Sequence, residues 1–422
     1  MRVVHISTHD NGGGAARSAY RLHLGLRLLN QDSLMLVAER RGQDPQVKEA
    51  VRSRSLVPRL LRLARRQMLL RDARRYASTR PAHAGFFSDD RSEYGAGLAG
   101  QIPECEVLNL HFVAGLVDYG TFFRAPSARK PMVWTLHDAN AFTGGCHTHG
   151  ACGRFNQGCG ACPELGSSSD KDLTHAIWQR KKGAYAHIPK ERLHVVTPSR
   201  WLADEARQST LLGGFPVSVI PYGIATDVFC PRNKLLAREM FGLPKDSKVV
   251  LFAAQYGGWA FKGFSLLVEA LTPLASTDIY LFSVGSGTPS LTLPFPHMNT
   301  GFIDNDRILS WAYSAADLYV TPSLDDNLPN TVMESMSCGT PVIGFNVGGV
   351  PDMVRDGNTG FLAPKGDVGA LRQAILRVLD NPPLGAELAA NCRRIAVEEY
   401  DLRIQAQRYL ELYTSLTNGR SG

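Results

Sequence analysis

The chain has 422 residues, more than one hydrophobic core usually organises, so two domains of about 200 residues each are expected. With 44% apolar and 20% charged residues it is an ordinary globular mixture, which excludes a disordered chain. No apolar run reaches the roughly 18 residues that span a bilayer, so a soluble, cytoplasmic protein is expected, with a net charge of +7.

The opening residues, MRVVHISTHDNGGG, pass from an apolar strand straight into a glycine turn, without the h-region of a secretory leader. Val3–Ser7, Ser33–Ala38, Val107–His111, Met132–His137 and His194–Thr197 read as short strands buried on both faces of a parallel sheet. Ala15–Leu29 and Trp201–Gln208 have helical apolar spacing. After the first strand, Gly12, Gly13 and Gly14 let backbone N–H groups approach a diphosphate at the positive end of the following helix. A merely flexible turn would read the same way. The spacing is not G-x-G-x-x-G, so no NAD is implied.

From Arg52 to Arg80 the chain is dense in arginine, with a single aspartate. Pro58 can start a helix in which Leu60, Leu63, Ala64 and Met68 share a stripe. Such a basic amphipathic helix suits an anionic membrane surface, with Arg62, Arg65 and Arg66 as its lipid contacts; a solvated surface helix is the alternative. Nucleic acid is not expected, because no aromatic residues interleave with the arginines. Further on, His137 and Asp138 stand at a strand end, where α/β folds place site residues. The loop 144–163 holds Cys146, Cys152, Cys159 and Cys162, which could wrap a structural zinc with His147 or His149 as substitutes, or stay free thiols.

In the second half Val249–Ala254, Ile279–Val284, Leu318–Val320 and Pro341–Phe345 read as strands, with helices such as Phe264–Leu271 and Ile308–Ala315 between them. The fold class expected is therefore α/β, with two Rossmann-like doubly wound parallel sheets. The breaker cluster 212–216 sets the domains at 1–214 and 215–400, followed by a C-terminal helical segment 401–422. Lys262-Gly263 follows a strand, and a lysine there can stabilise the charge of a departing diphosphate. Asp304-Asn305-Asp306 reads as a helix N-cap rather than a metal-binding D-x-D. The densest signal is Thr321–Val354. A strand ends at Thr321-Pro322-Ser323, an acidic turn carries Asp326, a helix starts near Pro329, and Glu334 follows eight positions after Asp326. The helix start suits an anionic or hydroxyl-rich ligand, and both carboxylates can accept bonds from sugar or ribose hydroxyls. A second glycine turn, Gly348-Gly349, follows the next strand.

This last segment resembles the donor-binding signature of retaining nucleotide-sugar glycosyltransferases of family 4, which have the GT-B fold. The likeness runs from Val3 to about Tyr400 and is closest to the branch that makes surface polysaccharides such as colanic acid. The family's E-x7-E pattern falls on Asp326 and Glu334, with Asp in place of the more common Glu. The resemblance implies that Asp326 meets the transferred sugar and Glu334 the ribose. It implies that Lys262 meets the diphosphate, that His137 lies near the donor sugar, and that the Gly12–Gly14 turn faces phosphates and acceptor across a cleft between the domains. Backbone groups around Leu328, Pro329, Asn330 and Thr331 would steady the sugar. An arginine common a few residues before the lysine is missing, with Gly257-Gly258-Trp259-Ala260-Phe261 in that region.

The resemblance further implies a same-face retaining displacement in which the leaving oxygen accepts the acceptor's proton, with no cofactor required for chemistry and structural zinc as the one metal admitted. The expected partners are a UDP- or GDP-sugar, a saccharide or polyprenol-linked acceptor, and the inner face of the plasma membrane. The alternative activity is a GT-B-type sugar-nucleotide epimerase. The last helix is implied to cross back onto the first domain.

Overall fold

The computed structural model describes residues 1–52, 55–81, 84–126, 130–254, 262–275, 278–286 and 293–418. The stretch Tyr256–Phe261, with its missing family arginine, and Gly287 lie outside the described residues. The chain forms two compact units, Met1–Pro221 with Ala406–Gly422, and Tyr222–Gln405.

The first unit holds β1 (Arg2–His9), β2 (Asp32–Glu39), β3 (Val47–Glu49), β4 (Val107–Leu110), β5 (Met132–Thr135), β6 (Leu193–Thr197) and β7 (Val217–Val219). They pair in the order β3-β2-β1-β4-β5-β6-β7, every pair parallel. Helices α1 (Gly14–Leu28), α2 (Leu56–Arg74), α3 (Tyr119–Phe122), α4 (Leu173–Tyr185) and α5 (Arg200–Gln208) surround it. Val3, Val4, Ile6, Val107, Leu108 and Val133 are fully buried, because helices cover both faces of a parallel sheet. Each such side chain stabilises the fold by roughly 1.5–3 kcal/mol. β5 ends two residues short of the expected His137. Leu136 N still donates to Val196 O at 2.8 Å, after which the chain turns away and His137 and Asp138 leave the ladder.

The second unit holds β8 (Lys248–Ala253), β9 (Ile279–Val284), β10 (His297–Asn299), β11 (Leu318–Thr321), β12 (Val342–Phe345) and β13 (Gly360–Ala363). Their order is β10-β9-β8-β11-β12-β13, again all parallel. Around it lie α6 (Lys234–Phe241), α7 (Phe264–Leu271), α8 (Asp306–Ala315), α9 (Asn330–Ser337), α10 (Val350–Met353), α11 (Val368–Leu379) and α12 (Pro382–Glu399). Asn305 caps α8, its side chain accepting from the N–H groups of Arg307 and Ile308, as the N-cap reading requires.

The last helix, α13 (Leu402–Asn418), begins in the second unit and continues from Ala406 in the first. Ala406, Tyr409 and Tyr413 are fully buried with Val3, Leu22, Val107 and Val196. Asn109 Nδ2 donates to Tyr413 Oη at 2.7 Å, and Thr135 Oγ1 lies 2.9 Å from Tyr409 Oη. These bonds satisfy polar groups that the sheet would otherwise bury unpaired. The expected basic helix is α2, which has no buried residue. Of its expected stripe, Leu60, Leu63 and Ala64 are exposed and Met68 is half-buried.

Candidate functional site

In the second unit, the acidic turn after β11 and the first turns of α9 carry six expected residues, Asp326, Leu328, Pro329, Asn330, Thr331 and Glu334, and Lys262 pairs with the first of them. Pro329 occupies the N-cap position of α9, and no side chain caps the helix there. Asp326 does not stand open. Its carboxylate pairs with the Lys262 ammonium, which is 40% exposed against 13% for the acid. The Lys-Gly pair has a local reason. Gly263 has φ +73, and a Cβ there would sit 1.9 Å from the Pro322 carbonyl, so only glycine lets this turn press onto the end of β11. The second glycine turn closes the other side, with Gly349 N donating to Asp326 O at 3.1 Å.

Glu334 is buried at 1% exposure on α9 and accepts from Tyr313 Oη on α8 at 3.0 Å. Burial and the carboxylate hold that phenol well above its ordinary range, so Tyr313 remains a donor. Nothing in the spacing of the acids pointed to Tyr313; its signal was a tyrosine on the apolar stripe of the preceding helix. Leu328 is buried, while Asn330 and Thr331 are half-buried, and Tyr319 Oη donates to Thr331 Oγ1 at 2.8 Å. A diphosphate arriving here would compete with Asp326 for Lys262 and release the carboxylate for a hydroxyl.

In the first unit, the Gly12–Gly14 turn leads into α1, whose N-cap is Gly13 without a side-chain cap. A residue that the sequence reading missed lies against it. A Cβ on Gly12 would meet Arg41 Nη1 at 2.3 Å. The buried Asp10 fixes this arginine by accepting from the N–H groups of Arg41 and Gly42 at 2.7 and 2.8 Å. The turn thus has a cation as well as a helix N-terminus beside it, a combination that suits a phosphate or carboxylate.

The half-buried His137 ends a file of imidazoles whose other members, His23, His5 and His111, are buried. His23 Nδ1 lies 2.8 Å from Ser33 Oγ, which lies 3.1 Å from His5 Nε2. His5 Nδ1 meets His111 Nε2 at 2.9 Å, and His111 Nδ1 meets His137 Nε2 at 3.1 Å. Burial pushes His5 and His111 well below the ordinary histidine range and His137 and His23 down to about 4. Asp44 stands at the far end, 3.6 Å from His23 Nε2. Burial opposes its charge, but the Gln46 N–H and Arg27 outweigh that and keep it below the usual carboxylate range. At each ring-to-ring contact one nitrogen donates and the other accepts, so the file is a continuous chain of bonds from His23 through Ser33 to His137. The available signal was a histidine inside an otherwise apolar strand, Val3-Val4-His5-Ile6.

The loop after His137 is pinned from below. Asp138 Oδ2 lies 2.8 Å from His147 Nδ1, and His147 Nε2 lies 2.8 Å from Ser88 Oγ. Both nitrogens of His147 are therefore engaged in this structure. Lys181, fully buried, donates to the Asn140 and Thr143 carbonyls, and burial pushes its pKa down to about 8. Cys146, Cys152, Cys159 and Cys162 line one small cavity with His149, and all are free thiols. Burial drives Cys146 up to about 12 and Cys159 up to about 11. Among the described residues no three His, Cys, Asp or Glu side chains are arranged to hold a metal ion. The four cysteines share this cavity, and Cys159 Sγ accepts from Gly144 N at 3.1 Å.

Residues 247–381 match the model of a family described as glycosyl transferases group 1. The D-inositol 3-phosphate glycosyltransferase of Mycolicibacterium smegmatis is 31% identical over 188 residues, 41% of this chain and 42% of that protein. Its counterpart in Thermomonospora curvata is 32% identical over 240 residues, 50% and 55% of the two chains. The chain thus spans about half the length of these curated relatives. The whole fold is similar to that of sucrose-phosphate synthase from Thermosynechococcus elongatus, with TM-score 0.68, 19% identity and 99% and 100% of the chains covered. It is likewise similar to Anabaena Alr3699/HepE in complex with UDP and glucose, with TM-score 0.66, 16% identity and 98% and 100% covered. Two doubly wound parallel sheets of seven and six strands, the GT-B class, are therefore the fold of this chain. The stretch that matches the group 1 glycosyltransferase model lies within its second unit.

Proposed function

We propose that this protein moves a hexosyl group from a UDP- or GDP-sugar to a saccharide or lipid-linked saccharide acceptor, with retention at the anomeric carbon, in the assembly of a cell-surface polysaccharide. The observation that carries this reading is the Lys262–Asp326 pair beside the start of α9, with Glu334 on the same helix, inside the segment that matches the family model. UDP and glucose in the complex of a similarly folded protein support the donor class.

In this reading the diphosphate takes Lys262 from Asp326, and the lysine then meets charge that grows as the sugar–oxygen bond breaks. An interaction that strengthens in the transition state raises the rate. Asp326, once released, accepts from a hydroxyl of the transferred sugar. Glu334 accepts from the ribose while Tyr313 holds its other side. Neither acid is assigned as a nucleophile, and the departing phosphate oxygen takes the acceptor's proton. His137 and the Gly12–Gly14 turn keep the roles that the resemblance implies. The chemistry asks nothing of the cysteine loop. Zinc there remains a separate proposal that requires the sulfurs to draw together, and less than about a tenth of an equivalent in the purified protein would end it.

The test is incubation with UDP- and GDP-hexoses, following release of nucleoside diphosphate without and with saccharide acceptors. Lys262→Ala should lower kcat by roughly 100- to 1,000-fold. Glu334→Gln keeps an acceptor for Tyr313 but should weaken donor binding by about 1–3 kcal/mol. Wild-type turnover and affinity in both variants would overturn the assignment, and an isomerised donor without transfer would point to an epimerase.

A further inference from the structure

Helix α2 is held largely by charge. Its half-buried positions, Arg62, Arg65, Met68, Leu69 and Asp72, face the first unit. Arg65 Nη1 pairs with Asp118 Oδ2 at 3.0 Å, and Arg91 Nη2 pairs with Asp72 Oδ2 at 2.9 Å. Arg66 reaches Glu93 at 3.7 Å. The first two turns of the helix are apolar and open, with Leu56 70%, Leu61 60% and Leu60 56% exposed and Val57 and Leu63 beside them. A water-soluble helix ordinarily turns its leucines to the core and its ion pairs outward. Here five large apolar side chains within two turns face away from the protein, in a patch that asks for a cover.

Charge decides what covers it. Arg59, Arg71, Arg74 and Arg75 are exposed on the same helix or at its end. A second copy of the chain would set two arginine-rich helices face to face, whereas an anionic bilayer offers hydrocarbon to the leucines and phosphates to the arginines. We infer that α2 docks the protein on an anionic membrane surface, with Leu56, Val57, Leu60, Leu61 and Leu63 entering the acyl boundary and the exposed arginines at headgroup level. Arg65 and Arg66, expected from the sequence to touch lipid, instead fasten the helix to Asp118 and Glu93. This inference stands independently of the transferase reading.

The experiment uses the full chain and vesicles of phosphatidylcholine, with or without about one-third phosphatidylglycerol, in flotation at low and high salt. The wild type should float with the anionic vesicles and much less with the neutral ones. Leu60→Gln with Leu61→Gln, and separately Arg59→Glu with Arg74→Glu, should each lower partitioning by about tenfold or more. All four side chains are exposed, and an unchanged Tm in solution confirms that each variant is folded. Equal flotation of wild type and both variants overturns the inference. So does a wild-type dimer that the leucine variant makes monomeric, since a second copy would then be the cover.

Discussion

The file of imidazoles from His23 to His137 makes the protein's response to acid predictable. Burial pushes His23 and His137 down to about 4 and His5 and His111 well below the ordinary range, while an unfolded histidine titrates near 6.5. Between those values the unfolded chain binds protons that the native one refuses. Stability therefore rises with pH through this window and is lost as pH falls from about 6.5 towards 4. Each histidine contributes a slope of up to about 1.4 kcal/mol per pH unit. The urea midpoint of the first unit should accordingly be lower at pH 5 than at pH 7, and His5→Gln should flatten the difference. A midpoint that does not move between those pH values would show that the rings are not held neutral. Also at this scale, Asp326 and Glu334 could be picked out by spacing, but Tyr313, Arg41 and Asp44 could not. Each acts on its partner across more than 20 positions of sequence, a distance that no local pattern reports.

Among the elements, α13 shows how a helix can be recognised without its role being readable. The segment 401–422 is expected to be helical, and only the likeness to a family suggests which domain it covers. The reason it belongs partly to the first unit is chemical: Tyr409 and Tyr413 complete the bonding of Thr135 and Asn109 beneath the sheet. Tyr413→Phe keeps the ring but leaves the Asn109 amide short of a partner, which should cost about 1–3 kcal/mol in first-unit stability by urea unfolding. No measurable loss would mean that the amide finds another acceptor. The three-residue strands β3, β7 and β10 escaped the sequence reading because so few residues carry too little periodicity to stand out, and the edge strand β13 escaped it as well. The cysteine loop teaches a related lesson. Spacing brought the four thiols to one cavity, yet it did not specify where each sulfur points.

At the scale of the whole molecule, the chain leaves the first unit after Pro221, a little beyond the breaker cluster 212–216, and re-enters it at Ala406 within one continuous helix. The residues proposed to hold the donor, from Lys262 to Glu334, all lie in the second unit. A nucleoside diphosphate should therefore stabilise that unit, by about 2.7 kcal/mol at a hundred times its Kd. Hydrogen exchange with UDP or GDP should show new protection at Leu318–Thr321 and Asn330–Ser337; protection confined to the first unit would place the nucleotide elsewhere.

The sequence alone determined the class of fold, because buried parallel strands and amphipathic helices write their periods into short windows of residues. It also marked the turn where acids, lysine and glycines gather. The tertiary structure decided which groups meet: the lysine locked on its acid, the arginine laid over the glycine turn, the histidines in file, and a helix with its leucines facing outward. Those are matters of distance between side chains remote in sequence, and distance is set only when the chain packs.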